Sequence, residues 1–113
     1  MMHKIEIHLR HMHDVLVDLQ SARNDDLSHI RNKRFVERCL EILGEAARRI
    51  PREFQEEHVH IPWANIIGTR NIIAHDYERI SSEKLKQILD HQVSALLPEI
   101  VKLIASQSLK EKE

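Results

Sequence analysis

The sequence predicts an all-α fold: an antiparallel bundle of four main helices plus a short connecting helix, forming a two-fold homodimer. Three observations lead there. Only two Gly and three Pro interrupt 113 residues, and Leu, Ile, Glu, Lys, Arg and Ala supply long uninterrupted helical stretches. Apolar residues recur at spacings of three and four. Aromatic residues make up only 4% of the chain, so core volume must come from aliphatic side chains at helix seams. Such cores often gain area by pairing with a second chain. The length fits one domain, 1–113, with a single core.

The elements follow in order. Ile5, Leu9, Met12, Leu16 and Leu19 form one stripe of an amphipathic first helix. The polar cluster SARNDDLS, residues 21–28, is a loop. A second helix covers about residues 29–50, with Phe35, Cys39, Ile42, Ala46 and Ile50 on one face and Val36, Leu40, Leu43 and Ala47 beside them. So wide an apolar arc implies contacts on two sides. Gly44, inside this helix, costs about 1 kcal/mol relative to Ala, so close approach by a neighbouring helix is expected there. Pro51 stops the helix and begins a short one through Glu57. Pro62 fits the first position of a third main helix, PWANIIGTRNIIAH, whose core face is Trp63, Ile66, Ile67 and Ile73. Ser81 or Ser82, with Glu83, reads as the N-cap and acidic first turn of the last helix. That helix carries Leu85, Leu89, Val93, Leu96, Ile100 and Leu103, with Pro98 expected to kink it. The polar tail from about residue 106 is expected to fray.

A formal net charge of −1 argues against a wide basic surface that coats nucleic acid, although it leaves room for a small local Arg site. Arg is the better bidentate partner for phosphate. The single Cys39 cannot form an intrachain disulfide and reads as a buried reduced thiol. No apolar run approaches the roughly 20 residues that span a bilayer, and the N-terminus lacks the pattern of a signal peptide. No membrane association and a cytoplasmic location are the expectation.

The chemistry concentrates in GTRNIIAHDY, residues 68–77. Asn71 and His75, four apart, share a helix face, and Arg70 lies on the adjacent one. A purely apolar seam cannot accept these groups without partners. Either they satisfy one another as a buried network, or they converge on something outside the fold. Arg stays protonated and can hold a phosphate and the charge that builds on it. His can give or take a proton near neutrality. Together they suit cleavage of RNA by attack of the 2′-OH on its own phosphate, which needs acid and base groups and a cation but no metal or other cofactor. One His is short of the two groups that concerted cleavage favours, and a two-fold dimer would supply a second. From spacing alone the pattern is weak.

Arg70-Asn71-x-x-x-His75-x-Tyr77 resembles the R-x4-H motif, with its following Tyr, of the HEPN superfamily. The longer run FVERCLEILGEAARRIP…IPWANIIGTRNIIAHDY resembles the HepT-like toxins of MNT–HEPN toxin–antitoxin pairs, over roughly residues 35–104. The resemblance implies a dimer whose two motifs line a shared cleft, and metal-independent ribonuclease activity with Arg70 and His75 as catalytic residues and Asn71 in support. It implies a nucleotidyltransferase antitoxin as partner, transferring AMP to Tyr77. That modification would set bulk and negative charge beside Arg70. The alternative within the same resemblance is a non-catalytic subunit that presents Tyr77 or a nucleotide to its nucleotidyltransferase.

Other polar groups read more plainly. His3, His8, His11 and His13 mark a solvated face of the first helix rather than a metal site. His58 and His60 lie in a loop that could rim a cleft. Asp76, between His75 and Tyr77, could orient an imidazole or a water. Arg31, Arg34 and Arg38 could track an RNA backbone if they flanked the cleft.

Overall fold

Leu9, Met12, Leu16 and Leu19 are fully buried on one face of α1 (Lys4–Ser21), so the spacing of three and four became the seam it implies. In the computed structural model, which describes residues 4–76 and 80–112, these side chains join one contiguous aliphatic core. The described residues are helical throughout, with turns between helices and no strand. No helix among them is long and apolar enough to cross a membrane.

The second helix, α2 (Ile30–Arg48), buries Val36, Cys39, Leu40, Leu43, Ala46 and Ala47. Phe35 and Ile42, expected on its core face, are instead 45% and 37% exposed. The physical reason is which flank the neighbours take. Glu37 and Gly44 each follow one of these residues by two positions, about 200° of rotation, and both are buried. The next helices cover that flank and leave the opposite one open. Burial raises the Cys39 thiol pKa to about 11, with Asp18 adding to the effect and Arg38 opposing it. A thiol held so far in its protonated form is no nucleophile.

Pro51 ends α2 and starts the short α3 (Arg52–Glu57), its carbonyl accepting the Gln55 N–H at 3.1 Å. Gln55 Nε2 donates to the Ile50 and Ala47 carbonyls at 3.0 and 3.3 Å, adding to the backbone bond that Ala47 already accepts from the Ile50 N–H at 3.1 Å. Trp63 Nε1 donates to the His58 carbonyl at 3.0 Å and fixes the turn into α4 (Trp63–Asp76). Pro62 stands one place earlier than expected, as the residue before the helix, where its carbonyl takes the Ile66 N–H at 3.0 Å. Trp63, Ile66 and Ile73 are buried and Ile67 partly so.

After residue 80 the chain is one long helical run: α5 (Ser82–Gln87), a π-helical segment (Ile88–Val93) and α6 (Ser94–Lys112). The stripe Leu85, Leu89, Val93, Leu96, Ile100 and Leu103 is buried throughout. The departure from α geometry precedes Pro98 rather than centring on it. Residues spaced by four drift about 40° per step at 100° per residue. A π turn, with its i→i+5 bonds, rotates less per residue and takes up that drift. Ser81 is the N-cap, its Oγ accepting the Lys84 N–H at 3.1 Å. Ser81→Ala is expected to cost about 1 kcal/mol, read as a lower urea midpoint at unchanged m-value. Ser82 has a different task, donating to the Leu27 carbonyl at 3.0 Å and tying the run to the α1–α2 loop.

The tail does not fray at residue 106. The helix α6 continues to Lys112, with Gln107 buried and Ser108 Oγ donating to Glu6 Oε1 at 2.6 Å. Glu6, itself buried, also takes Arg10 Nη2 at 3.0 Å.

In the packing, α2 is central. It lies against both α1 and α4, while α1 lies against α6. Among the described residues the only extensive helical partner of α4 is α2. Between α4 and the π-helical segment a largely apolar groove of about 480 Å³ remains, lined by Leu40, Leu43, Ile66, Ile88, Val93 and Leu96.

Candidate active site

Gly44 makes the site possible. A Cβ built there would overlap the Cβ of Arg70, and it would stand 2.8 Å from Arg70 Cγ and 3.2 Å from the Ile66 carbonyl. The close approach expected at this glycine is therefore real, and its partner is the aliphatic stem of Arg70. From that seat the Arg70 guanidinium pairs with Glu45 Oε1, while its Nη1 donates to Asn71 Oδ1 at 3.0 Å. The side chain keeps 20% of its surface exposed, and its Nε is buried without a hydrogen-bond partner among the described residues.

Glu45 serves two cations. Arg48 Nη2 donates to its Oε2 and Oε1 at 3.1 and 3.3 Å. Burial opposes ionisation of Glu45. The Arg48 hydrogen bond and the charges of Arg48, Arg70 and Arg49 outweigh it, and the carboxyl lies below its ordinary range.

His75 is exposed in the last turn of α4 and has no hydrogen-bond partner among the described residues. It stands five positions after Arg70, about 140° around the helix. Within one chain the two are not brought together. Arg70 turns back to α2, and His75 turns out. Asn71, exposed and four residues before His75, lies on the same helix face and accepts from Arg70. Asp76 closes α4, but its side chain and the whole of Tyr77 lie outside the described residues.

The choice between a satisfied network and an outward-facing site thus divides by residue. Arg70 has partners of its own; His75 has none among the described residues. Glu45 was not singled out by the motif. The signal for it was adjacency: the glycine that admits the Arg70 stem is followed at once by an acid.

The remaining candidates separate as well. Arg34 pairs with the buried Glu37 at 2.7 Å and Arg38 with Glu41 at 3.2 Å. With Ile73 these four line a shallow groove where α4 meets α2. Arg31 is exposed at the start of α2. The His58 ring packs on Phe54, centroids 4.4 Å apart, and His60 Nε2 lies 3.4 Å from Glu99 Oε2 at the edge of the apolar groove. His8 and His11 face each other edge-on at 6.3 Å, and His13 pairs with Asp14 at 3.0 Å. Among the described residues no group of three or more His, Cys, Asp or Glu is placed to hold a metal ion.

The family model described as Ribonuclease HepT-like matches residues 5–103, which takes in α2, α4 and the whole Gly44–Arg70 contact. The chain belongs to the ribonuclease HepT-like family. Among curated members it is 35% identical over 75 residues to a provisionally named RNase of Caldanaerobacter subterraneus subsp. tengcongensis, covering 66% of this chain and 63% of that one. A provisionally named RNase of Methanocaldococcus jannaschii is 27% identical over 99 residues, 85% of this chain and 80% of the relative. A protein of Thermococcus cleftensis, provisionally named ribonuclease HepT, is 32% identical over 66 residues, 58% of this chain and 60% of its own. The match thus spans less than two thirds of the first and third of these relatives. No solved structure matches the chain.

Proposed function

We propose that this protein is the toxin of a toxin–antitoxin pair, a metal-independent endoribonuclease that works as a two-fold homodimer. The observation that carries the reading is a guanidinium fixed by Glu45 with an exposed imidazole about one and a half turns further along the same helix, in a chain of the ribonuclease HepT-like family. Arg70 holds the scissile phosphate and stabilises the charge that develops on it. His75 moves the proton between the 2′-OH, which attacks the phosphorus, and the departing 5′ oxygen. A 2′,3′-cyclic phosphate and a 5′-hydroxyl result. The angle between Arg70 and His75 favours a cleft made by two copies, each contributing one of each residue. Asn71 supports Arg70, and Asp76 orients the imidazole or a water.

The partner is a nucleotidyltransferase antitoxin that transfers AMP to Tyr77, seven residues after Arg70. The added phosphate would compete for the same guanidinium. Purified, partner-free protein should cleave RNA with excess chelator present. RNA left intact at every protein concentration would favour a non-catalytic subunit that serves the nucleotidyltransferase. Co-expression with that enzyme should add one or more AMP masses to the peptide holding Tyr77, the only tyrosine. An unmodified peptide beside an active antitoxin would remove that part of the reading.

A further inference from the structure

Arg70 reaches its position by two devices from α2: the space left by Gly44 and the charge of Glu45. A side chain that served only to hold α4 on α2 would be expected to satisfy its buried donors. Arg70 Nε finds no partner among the described residues, although the two ends of the guanidinium are both held, by Glu45 and by Asn71. The group is thus fixed in direction at some cost to its own hydrogen bonding.

We infer that Glu45 is a positioning residue of the ribonuclease site, which fixes the Arg70 guanidinium before RNA arrives. The inference rests on the ribonuclease reading above. A free arginine samples many rotamers, and substrate must order it on binding. A guanidinium already held meets the developing phosphate charge without reorganising. One objection is that a carboxylate beside a phosphate-binding cation weakens its field. Arg48 answers it. Two guanidiniums share the single carboxylate, so the trio keeps a formal charge of +1 (2 − 1). Arg48 itself is well exposed and has donors to spare.

The test uses the full chain in two measurements. The first follows the Arg70 Nε–Hε resonance by ¹⁵N–¹H NMR in wild type, Glu45→Gln and Glu45→Ala. It should be sharp and slowly exchanging in wild type, retained in Glu45→Gln, which keeps an acceptor, and averaged in Glu45→Ala. The second is steady-state cleavage of an RNA oligonucleotide. Glu45→Ala should lower kcat on the order of 10²-fold, the usual penalty for a misplaced group, with KM and melting temperature nearly unchanged and Glu45→Gln in between. An Arg70 resonance indifferent to Glu45→Ala overturns the inference, and so does a kcat that stays at the wild-type value. Should Glu45→Ala fail to fold, the isosteric Glu45→Gln decides: a wild-type kcat with its resonance displaced also overturns it. A wild type that cleaves no RNA is a separate result, because it removes the ribonuclease reading on which the inference stands even where the resonance responds as expected.

Discussion

His75→Ala is expected to abolish RNA cleavage while leaving the fold intact. A positioned acid–base group contributes roughly 10²–10⁴-fold to rate, and no neighbour within the described residues is placed to substitute for the imidazole. The structural cost should be small, because His75 is exposed and without a hydrogen-bond partner among the described residues. Surface substitutions away from special contacts usually stay within about 0.5 kcal/mol. The measurement pairs cleavage of a fluorogenic RNA oligonucleotide with thermal melting of the same preparation, and growth arrest on expression gives the cellular counterpart. Loss of cleavage at an unchanged melting temperature supports a catalytic imidazole. A rate equal to wild type excludes it. Loss of cleavage together with a large fall in melting temperature would mean that the residue belongs to the fold instead.

Gly44→Ala should damage stability and activity together, against the ordinary preference of helices for alanine. Propensity favours the substitution by about 1 kcal/mol. The new methyl, however, would occupy the place of the Arg70 Cβ and press on the Ile66 carbonyl. Neither is the free end of a flexible side chain, so α4 must move as a body. Overpacking of this kind costs typically about 1–3 kcal/mol, which outweighs the propensity gain and fixes the sign. The displaced helix carries Arg70 away from Glu45, so cleavage should fall further than the loss of folded protein explains. Urea unfolding and kcat on the same samples read the two effects apart. A variant more stable than wild type, with full activity, would show that α2 and α4 are less closely seated than Gly44 implies.

The helical stripes were legible from spacing alone because a buried face is written into a single strand of sequence. Leu9 to Leu19 in α1 and Leu85 to Leu103 in the last run are buried as the pattern says. Position around the bundle was less legible. Phe35 and Ile42 belong to the same apolar arc as Cys39, yet they are exposed, since one helix's pattern cannot tell which flank its neighbours take. The tail failed for a related reason. SQSLKEKE is polar in composition, but Gln107 is buried and Ser108 finds a buried partner in Glu6, about a hundred residues earlier in the chain. In the site, Gly44 announced a close approach without naming what approaches. The motif named Arg70 but pointed it outward with His75, and only the folded chain shows the guanidinium drawn back to Glu45.

The central place of α2 has a consequence for how such a sequence can change. Its 19 residues bury Val36, Leu40 and Leu43 in the core, and they also give Arg70 its seat. Selection for a firmer core and, on the proposed ribonuclease reading, selection for a sharper catalyst therefore act on one helix, with Gly44 and Glu45 as adjacent letters. Drift along α1 or α6 does not touch the seat of Arg70 directly, whereas drift along α2 is felt at the motif. Variation in α2 should be inherited in concert with variation in α4.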